Sequence, residues 1–369
     1  MKLADLLKNP SEWVHVEGPN GKIVLSSRVR LARNLKDFAF PGWAKKPERQ
    51  KALELILPVV QALPEMKECF ADSMDNIAAT DKQVLVERHL ISREHAAKNV
   101  GSAVIVNQPE TVSVMINEED HLRMQAVKAG LQLKTVFKTI DRVDSELEEQ
   151  LDFAFSPRLG YLTACPTNVG TGIRASAMLH LPALVLSDQI NQVVQAVNKL
   201  GLAVRGLYGE GTEALGNYFQ ISNQTTLGEK ELDLVDRLNK VVLQVIEHEE
   251  NGRLTLLEKK PQVVYDQIGR AYGILTNAHT ITSKEALNLL SMLRMGADLE
   301  LMPTSARTMI DELVIMAQPA HVQKAAQRKL TAEERDVFRA ELIRQRLVDL
   351  TKPKVTERPP AEESGTALA

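Results

Sequence analysis

The sequence predicts an α+β protein in which a mixed domain precedes an all-helical domain. Short runs with a period of two, such as Thr111 to Ile116, predict half-buried strands between helices up to about residue 254. Beyond that residue the apolar spacing is typical of helices only. The chain has 369 residues, more than one compact core usually serves, which also favours two domains.

Composition limits the classes of function. Apolar residues make up 44% and charged residues 25%, ordinary values for a soluble globular protein. The net charge of -3 provides no global basic field for nucleic acid, so an anion site must be a local cluster. Two cysteines give neither a disulfide framework nor metal-ligand spacing, which favours a reducing, cytoplasmic setting. The start does not resemble a signal peptide, and no apolar run approaches the roughly 18 residues that span a bilayer.

Residues 24–63 predict a strand followed by a helix. The apolar run Ile23 to Leu25 leads into Ser26 to Arg33, and in an extended chain Arg28 and Arg30 point to the same side. Two adjacent guanidinium groups suit a phosphate, although a solvated basic edge strand would explain them equally well. The periodicity of 48–63 predicts a helix.

The next segments predict a strand and an antiparallel hairpin. Val84 to Ile91 predicts a strand that ends near His89, a lone histidine of a kind that is usually structural. The runs 103–106 and 111–116 flank a turn-rich tetrad, which predicts a hairpin.

The segment Asn117 to Arg123 follows the second strand of that hairpin and carries three carboxylates, an imidazole and a guanidinium. Such a concentration of like charges costs energy unless a cation or a cationic substrate neutralises it. The alternative is a solvated turn into a helix over 121–133, with Glu119 and Arg123 as an i,i+4 pair. A second, acidic helix is predicted over 145–155.

A strand over 161–165 is predicted to open into a loop of small residues that ends at Arg174. Backbone N–H groups in such a loop can bind an anion. Neither a dinucleotide-binding unit nor a P-loop is present. Cys165 begins this loop, and simple core packing would also explain it.

The remaining elements alternate until residue 249 and are then helical. A helix over 186–200, strands over 202–205 and 218–222 and a helix over 229–249 are predicted. The glycine-rich segment 206–213 implies an unusual backbone, a mobile flap, or both. The segment 249–252 is predicted to end the last helix and to mark the domain boundary. Helices at about 258–277, 283–295, 304–317 and 331–349 suggest a small bundle, and Thr282 and Thr331 each begin a capping box.

Four motifs stand in one order, and together they resemble the phosphagen (guanidino) kinases over roughly residues 24–254. They are Ser27-Arg28-Val29-Arg30, Asn117 to Arg123, Cys165-Pro166-Thr167-Asn168 with Arg174, and Arg205-Gly206 with Glu210-Gly211-Thr212-Glu213. The resemblance implies a glutamine-synthetase-like antiparallel sheet flanked by helices. It also implies that ATP with Mg²⁺ lies on this sheet, held by arginines and by no metal-binding residues of the protein.

The resemblance also implies residue roles. Glu119 and Glu210 match the carboxylates that grip the acceptor guanidinium, and Cys165 matches the cysteine beside it. His89 matches the histidine on the adenine side. The implied phosphate ligands are Arg28, Arg30, Arg123, Arg174 and Arg205. The other implied nucleotide contacts are Ser27, Val29, Leu31, Ala175, Ser176, Ala177, Met178, Gly206, Leu207, Tyr208 and Gly209.

Two departures from the small-molecule members are informative. Only about 25 residues precede the first motif, where those members have a helical domain that helps to enclose the acceptor. An extra helical domain follows instead, as in the bacterial protein arginine kinases. Within it, Arg335, Asp336, Arg339 and Ala340 match a motif associated there with phosphoarginine binding and allosteric activation. A solvated helix face with an internal ion pair would explain the same residues.

The sequence thus predicts a lead segment (1–23), a catalytic domain (24–254), a helical domain (255–350) and a disordered tail (351–369). The hypothesis is an ATP-dependent protein arginine kinase in stress response and protein degradation. The resemblance further implies a homodimer, a zinc-finger activator protein, and a heat-shock repressor, damaged proteins and Clp protease components as partners. The alternatives are a kinase of small guanidino compounds and a non-catalytic regulator that binds phosphoarginine.

Overall fold

The computed structural model describes residues 1–6, 10–15, 17–206 and 215–354. The strands of these residues are β1 (Val24–Arg33), β2 (Cys69–Ser73), β3 (Ala103–Asn107), β4 (Val112–Ile116), β5 (Leu122–Ala129), β6 (Phe155–Ser156), β7 (Gly160–Tyr161), β8 (Ile173–His180), β9 (Leu202–Arg205) and β10 (Tyr218–Asn223). The helices are α1 (Leu3–Leu6), α2 (Glu12–His15), α3 (Lys46–Ala62), α4 (Ala79–Glu87), α5 (Arg93–Ala96), α6 (Leu133–Glu148), α7 (Pro182–Leu186), α8 (Ile190–Lys199), α9 (Glu231–Lys259), α10 (Pro261–Asn277), α11 (Ser283–Asp298), α12 (Ala306–Met316), α13 (Pro319–Ala325) and α14 (Ala332–Arg346). Short 3₁₀ helices cover Pro64–Met66, Pro166–Asn168 and Leu215–Asn217.

Eight of these strands form one antiparallel sheet in the order β2-β3-β4-β5-β1-β8-β10-β9. Strand β1 pairs with β5 on one side and with β8 on the other. The predicted antiparallel sheet is therefore confirmed, and the alternative of a solvated edge strand for β1 is wrong.

Alternation along the central strands separates a core face from an open face. Val29 and Leu31 of β1 are buried in the main core, together with Ile173 and Ala175 of β8. Residues of α6 and α9 share that core. Because successive strand side chains point to opposite faces, the intervening arginines of β1 and β8 lie on the other face.

Helices α10, α11, α12 and α14 surround a second core, which also contains Met178 and Tyr218 from the sheet. Helix α9 leads into this region without a break, so the prediction that it ends at residues 249–252 is wrong. The reason is that Glu249 is buried and accepts hydrogen bonds from the N–H groups of Ala183 and Leu184, each at 3.0 Å. A carboxylate with these partners belongs inside a packed helix.

Two predicted elements have the wrong secondary structure. Residues 84–87 belong to helix α4, because the apolar run packs as a buried helix in a third core with Met74 and Val104. Residues 122–129 form strand β5, not the predicted helix over 121–133, because both edges of the segment pair with neighbouring strands. A short apolar run does not distinguish a buried strand from a buried helix, and here long-range pairing decides.

Other predicted bounds differ more locally. The strand over 161–165 is limited to Gly160–Tyr161, and the acidic helix over 145–155 is only the end of α6. The helix over 186–200 is divided into α7 and α8 near Asp188, which has a φ of 58°. Helix α3, the β3–β4 hairpin, β9 and β10 agree with the sequence predictions.

The helical region matches the sequence prediction and adds one element. Helices α10, α11, α12 and α14 lie where the periodicity places them, and α13 is additional. Thr331 and Glu334 form a complete capping box, and Thr282 accepts the hydrogen bond of Glu285 N–H. Within the described ranges, none of the helices has the length and apolar character needed to cross a membrane.

Candidate active site

Five arginines meet on the open face of the sheet. Each comes from a central strand or from β9, and register aligns some of them directly: Arg30 of β1 stands opposite Arg174 of β8. The five side chains line one cavity of about 210 Å³. These arginines are Arg28, Arg30, Arg123, Arg174 and Arg205. The structure therefore brings together all five arginines that the resemblance implies as phosphate ligands.

The arginine face is short of negative charge. Burial, followed by the positive charges of Arg123 and Arg174, lowers the pKa of Arg28 to about 10. Burial, followed by the positive charges of Arg28, Arg123 and Arg174, lowers the pKa of Arg30 well below its ordinary value. The Nε atom of Arg30 is buried and has no hydrogen-bond partner in the described part of the chain. A bound polyanion would relieve both the repulsion and the unsatisfied donor.

One buried carboxylate partly balances this cluster. Glu118 is 1% exposed, and both of its carboxylate oxygens accept from Nη1 of Arg123, at 2.6 and 2.9 Å. The hydroxyl of Ser92 donates to the same carboxylate. Although burial acts to lower the pKa of Arg123, its ion pair with Glu118 raises that pKa overall. Glu118 thus orients Arg123, and the predicted i,i+4 pair of Arg123 with Glu119 is wrong because Arg123 lies on a strand.

The turn between β4 and β5 is held in place by Asp120. Asp120 is buried, and its Oδ1 accepts from Asn34 Nδ2 at 2.6 Å and from Ala164 N–H at 2.7 Å. This carboxylate therefore joins the turn that carries Glu119 to the loop that carries Cys165. The result places two segments that are distant in sequence on one wall.

Glu119 and Cys165 line a cleft of about 740 Å³ that also contains Arg30, Arg123 and Arg174. Glu119 is exposed, while its neighbours on both sides are buried. Loss of hydration, followed by the negative charge of Asp120, raises the pKa of Glu119. Cys165 is half-buried, and its Sγ lies 3.1 Å from Thr167 Oγ1. A carboxylate with a raised pKa is a better proton acceptor than an ordinary one.

His89 lines the arginine cavity but not this cleft. It follows α4 with a φ of 60°, and its ring lies 5.6 Å from that of Trp13. Burial and the charge of Arg28 lower the pKa of His89 to about 3, so the ring is neutral at physiological pH. Gln125 Nε2 donates to the carbonyl oxygen of His89 at 2.7 Å and fixes its place beside the sheet.

Several residues implied as nucleotide contacts have side chains on the core face. Ser27 is fully buried and donates to the carbonyl oxygen of Gly130 at 2.8 Å. The others on that face are Val29, Leu31, Ala175 and Ala177. By contrast, Ser176 and Met178 line an apolar cavity that continues from the arginine cavity. Gly206 follows β9 directly, whereas Leu207, Tyr208, Gly209 and Glu210 lie outside the described residues.

Sequence reasoning missed four side chains around the site. The sequence analysis treats Glu118 only as one member of the charged segment Asn117 to Arg123 and assigns it no role of its own. Ser92, Gln220 and Trp13 gave no local signal, because only the packing of α5, β10 and α2 brings them to the site.

In the helical region, Arg339 is 1% exposed, and its side chain forms hydrogen bonds inside the protein. Its Nε donates to the carbonyl oxygen of Ala317 at 2.6 Å and its Nη1 to that of Ile281 at 2.8 Å. It also forms an ion pair with Asp336. The predicted internal ion pair is therefore present, but the solvated face is wrong for Arg339 and for Ala340, which are both buried. Arg335 and Asp336 are the more accessible members.

The described site has the composition that phosphoryl transfer requires, namely a preorganised cationic face next to a carboxylate that can accept a proton. Residues 54–252 match the model of the ATP:guanido phosphotransferase C-terminal catalytic domain, and residues 261–358 match that of the protein-arginine kinase McsB C-terminal domain. The protein-arginine kinase of Halothermothrix orenii is 47% identical over 348 residues, covering 94% of this chain and 99% of that relative. That of Syntrophomonas wolfei is 48% identical, covering 91% and 94% respectively.

Two solved structures share the architecture. Lombricine kinase matches with a TM-score of 0.57 and 26% identity, covering 64% of this chain and 68% of that one. The duplicated taurocyamine kinase of Schistosoma mansoni, with bound components of a transition state analog, matches with a TM-score of 0.58 and 25% identity, covering 74% and 42%. The chain belongs to the ATP:guanido phosphotransferase family and, within it, to the protein-arginine kinases.

Proposed function

We propose that this enzyme transfers the γ-phosphoryl group of ATP to the guanidinium group of arginine residues in other proteins, with the side chains of the described cleft in specific roles. One observation carries the proposal: five arginines on a rigid sheet face open directly onto a cleft that contains Glu119 and Cys165. The cationic part suits a triphosphate, and the anionic part suits a planar cation.

On the phosphate side, the arginines would bind the triphosphate and stabilise the charge that develops on the transferred group. Their neutralisation by ATP fits the lowered pKa of Arg28 and the unpaired Nε of Arg30. When bound, Mg²⁺ supplies further neutralisation of phosphate charge. Phosphate oxygens of the nucleotide would supply ligands to this ion. Among the described residues there is no group of three or more His, Cys, Asp or Glu side chains that could hold a metal ion.

On the acceptor side, the chemical problem is nucleophilicity. A guanidinium group has a pKa above about 12 and is a poor nucleophile while protonated. Glu119 would orient one edge of the group and accept its proton as the N–P bond forms and the bond to the ADP oxygen breaks. Glu210 would hold the other edge, and Cys165 would lie beside the guanidinium group.

An arginine on a protein surface needs an accessible acceptor site. Two residues that line the cleft, Glu119 and Trp43, are exposed, and the exposed fraction of Trp43 is 90%. Solvent therefore reaches the cleft, and this accessibility supports a protein substrate over free arginine. We further propose that substrates include a heat-shock repressor and damaged proteins in the cytoplasm.

We also propose three further partners. They are a zinc-finger activator protein, Clp protease components and a second copy of the chain in a homodimer. The segment Arg335 to Ala340 would bind phosphoarginine allosterically through its accessible members, Arg335 and Asp336, while Arg339 keeps the helix ends together.

The direct test incubates the enzyme with labelled ATP and a mixed protein substrate. Phosphoarginine is expected, and its acid lability distinguishes it from phosphoserine. Label on free arginine but on no protein would instead select the kinase of small guanidino compounds.

Glu210→Ala tests the assignment of the second carboxylate. This variant should lose phosphoarginine formation and retain ADP binding, because the residue would contact only the acceptor. Normal turnover by Glu210→Ala would refute the assigned role, while Glu213→Ala is the matched control in the same segment.

A further inference from the structure

An apolar cavity lies between the sheet, the lead segment and helix α12. Its apolar walls include Leu25, Val127 and Met178 on the sheet side and Ile315 on α12. Trp13 of α2 closes another side and is 7% exposed. Helices α2 and α12, which do not contribute described residues to the arginine cavity, therefore meet at this cavity.

This cavity is continuous with the arginine cavity, because Arg28, His89 and Gln220 line both. The cleft with Glu119 shares a different set, including Arg30, Arg123 and Arg174, with the same arginine cavity. The arginine cavity thus lies between the acceptor cleft on one side and the apolar cavity on the other. If the γ-phosphoryl group faces the acceptor, the nucleoside end of the donor must point toward the apolar cavity.

The chemistry of the walls suits a nucleoside. A base needs flat apolar surfaces, and the Trp13 and His89 rings lie 5.6 Å apart beside the apolar side chains. The indole Nε1 of Trp13 is buried and has no hydrogen-bond partner within the described residues, so it is available to an acceptor on the ligand. Thr308 of α12 adds a hydroxyl group to the lining.

We infer that Trp13 of the lead segment and Thr308 and Ile315 of helix α12 complete the nucleoside end of the nucleotide site as positioning residues. The inference rests on the proposed function, since it assumes that the arginine face binds the triphosphate. Its new content is that the helical C-terminal region contacts the nucleotide directly.

The contacts of α12 explain how it is held in place. Asp311 of α12 accepts from Arg294 Nε at 2.7 Å, and Arg294 donates to the carbonyl oxygens of Gly21 and Lys22, each at 2.9 Å. Arg307 of α12 also pairs with Glu17. These bonds attach α12 to the segment that precedes β1, the strand that carries Arg28 and Arg30.

The cavity is narrow, at about 70 Å³, so a nucleoside can enter only if the walls from α2 and α12 separate from the sheet. Nucleotide binding should therefore change the surroundings of Trp13. Because binding and wall separation are coupled, a change that prevents the walls from separating should weaken nucleotide binding.

The two tryptophans of the chain allow a direct test. Trp43 is 90% exposed and lines the cleft that contains Glu119, so Trp43→Phe leaves Trp13 as the single tryptophan. ADP should change the emission of this variant, whereas inorganic tripolyphosphate, which lacks a nucleoside, should bind without that change. In the reverse variant, Trp13→Phe, ADP should leave the emission of Trp43 unchanged.

Helix α12 is tested by filling the cavity. Thr308→Phe should weaken ADP binding by about tenfold or more, the scale on which overfilling a packed site acts, and leave tripolyphosphate binding unchanged. Thr304→Phe, at an exposed position just before the helix, is the matched control and should bind ADP normally.

The outcomes separate the two levels of argument. One outcome is that ADP and tripolyphosphate both bind, ADP leaves the emission of Trp13 unchanged, and Thr308→Phe binds ADP as tightly as the unmodified enzyme. In that case the inference is overturned and the proposed function stands. If neither ligand binds the unmodified enzyme, the phosphate site itself is wrong and both fail. If Thr308→Phe weakens both ligands equally, α12 acts on the fold and not on the nucleoside, which also overturns the inference.

Discussion

The arginine face and the acceptor wall adjoin each other but stand on different kinds of backbone. Arg28, Arg30 and Arg174 lie on strands that are paired on both sides, whereas Glu119 lies on a turn and Cys165 in a loop before a 3₁₀ helix. Strand pairing presets the positions of the proposed phosphate ligands. The proposed acceptor groups depend instead on a few hydrogen bonds, such as those that Asp120 accepts from Asn34 and Ala164.

The boundary between the two regions falls between adjacent residues. Glu118 is buried and serves the arginine face through Arg123, and Glu119 is exposed in the cleft. The environment gives them opposite pKa shifts: Arg123 and its hydrogen bonds outweigh burial and lower the pKa of Glu118, and loss of hydration raises that of Glu119. The fold thus places one of two identical side chains in an ion pair with Arg123 and leaves the other accessible in the cleft.

Glu119→Gln should have the largest effect. Phosphoarginine formation should fall by about 10²–10⁴-fold, since a positioned proton acceptor contributes on that scale. ADP affinity, measured by calorimetry, should stay near that of the unmodified enzyme. An equal loss of ADP binding would show that the acceptor wall and the arginine face are not separate.

Glu118→Gln should instead destabilise the fold. Removing one partner of a buried ion pair costs about 3–5 kcal/mol of unfolding free energy, and the lower end applies because 22% of the Arg123 side chain is exposed. Asp266→Asn breaks the exposed pair with Arg270, with side chains 53% and 71% exposed, and should cost less than about 1 kcal/mol. Urea unfolding of both variants makes the comparison, and equal losses would contradict the structural role.

Arg30→Gln should act on affinity more than on stability. Losing a charged hydrogen-bond donor should weaken ADP binding by about 1.5–3 kcal/mol. The unfolding free energy should fall less than in Glu118→Gln, because the substitution also removes repulsion within the arginine cluster. Calorimetry and urea unfolding on the same preparation measure both quantities, and an unchanged ADP affinity would remove Arg30 from the phosphate site.

His95, which lies behind Glu118, should give the smallest effect. Burial lowers its pKa in the folded state to about 4, below the ordinary 6.5. The unfolded chain therefore binds more protons between these values, and the unfolding free energy falls as the pH drops through this window. His95→Gln should reduce that slope by up to about 1.4 kcal/mol per pH unit. Unfolding measured between pH 6.5 and 4.5 tests this, with His279→Gln at an exposed position as the matched control.

Much of the site could be predicted from the sequence, because each arginine belongs to a short ordered motif. The alternation of Arg28 and Arg30 with Val29 places both guanidinium groups on one face once β1 is a strand. The prediction failed at residues 122–129, where the same apolar spacing suits a helix and a central strand. Trp13 and Ile315 carried no signal, since their role depends on contacts with distant segments.

The sequence by itself determined the order of the motifs, the alternating strands, the helical C-terminal region and the kind of chemistry that the side chains allow. Only the tertiary structure decided which of two adjacent glutamates faces the cleft, and that α2 and α12 enclose the end of the arginine cavity. The physical reason is the separation along the sequence between the residues that interact. Periodicity reports the burial of a segment against its own neighbours, whereas strand pairing and cavity walls depend on partners up to hundreds of residues away.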